Sequence, residues 1–136
     1  MSYTIHLIPS PPCSICGRSD DTIAGPDPTH NLMEIFHLAL TGEEMPNPEV
    51  SEYENKLLHV FVDSPRGLQF LNCMMASNTI AIIEAAIARM EDEGWQPRFK
   101  ALEPENSWGD LAGALKVMKI LLALAKEYPL HVWEIC

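Results

Sequence analysis

The segment D-L-A-G-A-L-K-V-M-K-I-L-L-A-L-A-K, residues 110–126, sets the strongest condition on what this chain can fold into. After Asp110 its only charged side chains are Lys116, Lys119 and Lys126, which fall on one stripe at helical spacing, so the rest of the circumference is apolar. A helix of that kind packs on several sides and belongs at the centre of a core. Ser107 and Asp110 predict a capping box at its start, and Pro129 closes it.

The other elements follow from periodicity. Residues 3–8 alternate, with Tyr3, Ile5 and Leu7 on one face and Thr4, His6 and Ile8 on the other, as a half-buried strand does. Prolines 9, 11 and 12 end it, and residues 9–28 read as an irregular loop. A first helix is capped by Asn31 with Glu34 three residues on, buries Leu32, Ile35, Phe36, Ala39 and Leu40, and stops at Gly42. Residues 42–55 form an acidic, proline-broken loop. K-L-L-H-V-F-V-D, residues 56–63, reads as a strand. A second helix begins near Ser77 with Ile80, Ile83, Ile87 and Met90 as its buried stripe and Gly94 as its stop. L-H-V-W-E-I, residues 130–135, is a last strand. The expected fold is α+β: a small antiparallel sheet containing the N- and C-terminal strands, packed against about three helices.

At 136 residues the chain is one domain, able to bury roughly two-thirds of its unfolded surface. No stretch approaches the ~20 apolar residues of a membrane span. The opening M-S-Y-T-I-H-L-I lacks the basic and apolar regions of a secretory leader, which predicts a cytoplasmic location. The net charge is −10 and unevenly placed. Nine acids, Asp20 to Glu54, lie between Ser19 and Asn55 with no Lys or Arg among them, whereas the other ten acids are nearly matched by all nine bases. A field of that sign repels phosphate backbones and disfavours direct nucleic-acid binding. A basic protein surface suits it, with Glu43, Glu44, Glu49, Glu52 and Glu54 as the contacting groups.

Cys13 and Cys16, in P-C-S-I-C-G, have the spacing that lets two thiolates reach one ion from a tight turn. A structural zinc site, a redox pair and plain thiols are three readings the spacing leaves open. Remaining zinc ligands would come from His6, His30, His37, His59, His131, Cys73 or Cys136, with His30 favoured by its place at a helix start. That same place makes Thr29, His30 and Asn31 either a ligand-binding cluster or simply the cap of the helix. Trp95 and Phe99, set among Arg98 and Lys100, read as core plugs in a connector between helices, because the neighbouring M-E-D-E opposes a nucleic-acid surface. Met74, Met75 and Met90 read as gap-fillers. Nucleophile elbows, phosphate loops and metalloprotease signatures are absent from the sequence.

The segments T-H-N-L at 29–32 and E-P-E-N-S-W-G-D-L at 103–111 together resemble a group of small, functionally uncharacterised proteins of bacteriophages and bacterial genomes, which carry T-[HY]-N-L before the first helix and N-P-x-N-G-W-G before the last. The likeness extends over residues 1–8 and 27–135. Here Glu103 stands where that group usually has Asn, Ser107 where it has Gly, and Cys73 where its middle turn has Gly. Two unusual capping segments in one chain lead to the expectation that the two helix starts face each other, so that Thr29, His30, Asn31, Asn106 and Trp108 line one polar pocket. The resemblance implies no agreed activity. Two functions are therefore expected: a phage- or prophage-type acidic interaction protein, for example an inhibitor of a host nucleic-acid-handling or defence complex, or a zinc-containing small-ligand-binding protein or enzyme built around Cys13, Cys16, His30 and the Trp108 turn.

Overall fold

The computed structural model describes residues 2–9, 22–44, 66–104 and 109–136. Three antiparallel strands, β1 (Ile5–Ile8), β2 (Ile23–Ala24) and β3 (Val132–Ile135), form a sheet of order β2-β1-β3. Among the described residues four α-helices accompany it: α1 (Met33–Thr41), α2 (Ala76–Glu91), α3 (Gln96–Ala101) and α4 (Leu111–Glu127). The fold is α+β, and the first and last strands pair directly, Ile5 with Ile135 and Leu7 with Trp133. Tyr3, Ile5, Leu7, Trp133 and Ile135 point inward and are buried, as the two-residue alternation requires. The irregular stretch expected at 9–28 contains β2, and a bridge from Ser2 to Thr29 ties its end to the sheet. A two-residue strand is too short to leave a periodic trace. The strand expected at 56–63 lies outside the described residues.

Helix starts differ from the sequence expectation in instructive ways. Asn31 does not cap α1: a 3-10 turn, His30–Leu32, precedes the helix, and Thr29 is the cap, its Oγ1 accepting from the Asn31 amide at 3.3 Å. Ser77 does not cap α2, which begins one residue earlier. Its first amides are taken instead by main-chain carbonyls of the α4–β3 connection, Ala76 N–H donating to His131 O at 2.7 Å and Ser77 N–H to Pro129 O at 2.9 Å. Asp110 itself caps α4, its Oδ1 accepting from Gly113 N–H at 2.7 Å, and Ser107 lies outside the described residues. The connector after α2 is itself helical over Gln96–Ala101, with Pro97 in the first turn, where its missing N–H costs nothing.

The core is continuous. α2 packs along α4, burying Thr79, Ile83, Ala86 and Met90 against Ala114, Met118, Leu121 and Ala125, while Ile80 and Ile87 are only partly covered. α4 is buried along one face rather than on several sides, and its other side remains open. Phe99 plugs the core as expected, Trp95 lies half-buried at its edge, and of the three methionines read as gap-fillers only Met90 is fully enclosed. Trp133 is fully buried and its Nε1 donates to Thr79 Oγ1 at 2.9 Å, the hydroxyl in turn donating to Ala76 O at 2.7 Å. One buried polar chain thus joins β3 to the first turn of α2.

A second join lies beside it. Leu71 to Met74 form a turn closed by Met74 N–H to Leu71 O at 3.1 Å, with Asn72 at φ −60°, ψ 137° and Cys73 at φ 67°, the pattern of a type II turn. Cys73 N–H donates to Trp133 O and Trp133 N–H donates to Met74 O, so two residues oppose one and the segment forms a β-bulge on the free edge of β3. Both devices call for a glycine at position 73. Cys73 is the one non-glycine among the described residues with positive φ.

Candidate functional site

The first helix start is built on the sheet. Tyr3 N–H donates to Pro28 O at 2.8 Å, fixing the chain before Thr29, and the Tyr3 ring meets the His30 ring edge-on with centroids 4.3 Å apart. Tyr3 Oη and His30 Nε2 are both buried and have no hydrogen-bond partner among the described residues. Burial pushes the Tyr3 pKa up to about 12, opposed by the Leu68 backbone amide, which lies near Oη without meeting hydrogen-bond geometry, so this phenol stays neutral. Gly67 sits against it at φ 58°: a Cβ there would come within 2.5 Å of Tyr3 Oη and 3.1 Å of Met33 O, so only glycine allows this approach.

His37, one turn on, serves that same contact. Its Nδ1 accepts from Gly67 N–H at 3.3 Å, which requires the nitrogen to be unprotonated. Burial, with Arg66 adding repulsion, lowers its pKa from the usual 6.5, and Glu43 opposes this in part.

The second helix start adjoins the first. A Cβ on Gly109, at φ 124°, would lie 2.8 Å from Leu32 Cδ2 and 3.3 Å from Thr29 Cγ2, so the chain entering α4 runs directly over the Thr29–Leu32 turn. Thr29 and Leu32 are thereby brought to the start of α4. Thr29 Oγ1 is engaged in capping and Asn31 is exposed. Asn106 and Trp108 lie outside the described residues, as do Cys13, Cys16 and His59. Among the described residues no group of three or more His, Cys, Asp or Glu side chains converges as a metal would need. Cys73 and Cys136 are exposed thiols.

The acidic loop begins where α1 ends. Gly42, at φ 76°, turns the chain out of the helix, its N–H donating to Leu38 O, and Thr41 Oγ1 accepts from Glu43 N–H at 3.1 Å. Glu43 and Glu44 are exposed, whereas Glu49, Glu52 and Glu54 lie outside the described residues. Two arginines, one from α2 and one from α3, hold this corner. Arg89 Nη1 donates to Ala39 O at 2.7 Å, placing a cation at the negative end of the α1 dipole, and Arg98 Nε lies 3.7 Å from Glu44 Oε1 while its guanidinium stacks 4.6 Å above the Trp95 ring. Periodicity gives no sign of either role, because the partner residues stand some 50 positions away in the chain.

Comparison with family models, with curated proteins and with solved structures finds no match.

Proposed function

We propose that this chain is a binding protein of phage or prophage type, working in the bacterial cytoplasm, that recognises a basic protein surface through its acidic segment. The observation that carries this reading is the one-sided charge: nine of nineteen acids fall in residues 19–55 without a single Lys or Arg. Such a segment meets a site evolved for phosphates, so occupying the basic surface of a host nucleic-acid-handling or defence complex is its specific form. Arg89 and Arg98 anchor the base of the segment, Arg98 pairing with exposed Glu44 while Glu43 has no ion-pair partner among the described residues. The test is capture from host lysate by the protein and by a variant carrying Glu→Gln at positions 43, 44, 49, 52 and 54. A partner retained only by the parent is expected, and equal capture by both would refute the reading.

A second reading has its own observation. Tyr3 Oη and His30 Nε2, two buried polar atoms without hydrogen-bond partners among the described residues and beside the Thr29–Leu32 turn, suit a small polar ligand or a metal held with help from Cys13 and Cys16. Stoichiometric zinc in the purified protein supports it, and an equal metal content in the Cys13→Ala/Cys16→Ala variant counts against it.

A further inference from the structure

Away from α2, α4 presents Ala112, Leu115, Lys116, Lys119, Ile120 and Ala123, which line an open trough of about 490 Å³. These positions recur at intervals of three and four, so they form one stripe about three turns long. Ile120 is 38 % exposed, one of two large hydrophobic residues left open among the described residues. Ala112 and Leu115 also wall a cleft of about 680 Å³ between the end of α2, α3 and the start of α4. Trough and cleft adjoin across these two residues and together form a groove surface along α4, the trough apolar with a lysine edge and the cleft bearing Glu91, Glu103 and Asp110 with Lys100 at the α4 N-terminal end.

We propose that this groove docks an amphipathic helix from another protein, with apolar residues at three- and four-residue spacing along the stripe, acidic side chains beside Lys116 and Lys119, and a basic end in the cleft. Charge complementarity selects this occupant. Lys119 is only loosely engaged by Glu91, at 3.5 Å with both side chains about half exposed, and Lys116 has no ion-pair partner among the described residues. A second copy of the chain is a poor occupant on two counts. Two molecules of charge −10 repel, and a two-fold antiparallel pairing of α4 sets Lys116 of one copy against Lys119 of the other. The surface is small, so the contact is a transient one. It is independent of the acidic segment.

The experiment uses the full chain, isotope-labelled, titrated at physiological salt with two synthetic 18-residue helical peptides that share one leucine stripe. One carries glutamates on its flanks and two arginines at one end. The other has every charge inverted. The first is expected to shift amide resonances of 112–123 and to bind at least fivefold more tightly than the second. Ile120→Glu, at an exposed position, is expected to abolish binding with unfolding midpoint unchanged, and Lys116→Glu/Lys119→Glu to reverse the peptide preference. The five-Gln variant of the acidic segment is expected to bind the peptide as the parent does, which separates this surface from the one proposed above. Equal binding of both peptides, or no shift in 112–123, overturns the proposal. So does sedimentation showing a dimer that Ile120→Glu dissociates, since the groove would then belong to a second copy.

Discussion

Replacing Cys73 with glycine is predicted to stabilise the protein. Cys73 occupies the third position of a type II turn and the first position of a bulge, and both demand the left-handed conformation it adopts at φ 67°. That conformation brings Cβ against the following carbonyl and costs an L-residue about 1–2 kcal/mol. Glycine escapes the clash but loses about 0.4–1 kcal/mol through the greater freedom of its unfolded chain. The thiol is exposed, so no packing is forfeited. The balance is a gain of about 0.5–1 kcal/mol, or roughly 2–4 °C in midpoint for a domain of this size. Urea unfolding followed by tryptophan fluorescence reads it directly, with Cys73→Ala as the control that removes sulfur and keeps Cβ. Alanine should leave stability within about 0.5 kcal/mol, and a β-branched Cys73→Val should lower it. Should Gly and Ala prove indistinguishable, the strain argument is wrong.

Three further outcomes follow from buried polar groups. Thr79→Val leaves the Trp133 indole N–H buried and unpaired and should cost about 1–3 kcal/mol, whereas Thr79→Ser keeps both hydrogen bonds and loses only a methyl group; denaturant midpoints of the pair distinguish these. Tyr3→Phe removes a hydroxyl that has no hydrogen-bond partner among the described residues, so stability should stay level or rise slightly in calorimetry; a loss above about 1 kcal/mol would mean that a group such as the neighbouring Leu68 amide holds that hydroxyl in solution. His37 binds a proton less readily folded than unfolded, chiefly through burial and then the Arg66 charge, and its Nδ1 accepts from Gly67 N–H in the neutral form. Its contribution is complete above its unfolded pKa near 6.5 and is lost as pH falls through the lower folded value, so the urea midpoint should drop between pH 7.5 and 5.5, and drop less in His37→Asn.

The parts of the fold carried by short-range periodicity were legible in the sequence. The alternation around Ile5 and Leu7 identified β1 and its inward face, and V-W-E-I identified its partner at the other end of the chain. The three- and four-residue spacing of α2 and α4 did the same for the helical layer. What local pattern could not supply was tertiary substitution for local signals. Ser77 resembles a cap, but carbonyls of Pro129 and His131 satisfy the α2 amides from 50 residues away. An apolar circumference suggested that α4 would be surrounded, yet only one face is, because alanines as well as leucines occupy the open side and small apolar groups tolerate water. The contact of Tyr3 with His30 and Gly67 joins three distant segments through one glycine at positive φ, and nothing in a single sequence marks those residues as neighbours. That position 73 lies at φ 67° in a type II turn, where a glycine is favoured, comes from the tertiary geometry and not from any local pattern.

The most direct test of acidic-segment recognition is the affinity of a captured partner measured across ionic strength, from about 50 to 300 mM salt, where screening shortens from beyond to within the span of such a contact. Recognition by the clustered carboxylates predicts that Kd rises about tenfold or more over this range and that the five-Gln variant binds weakly with little salt dependence. A Kd that holds constant with salt and is shared by parent and variant would contradict it.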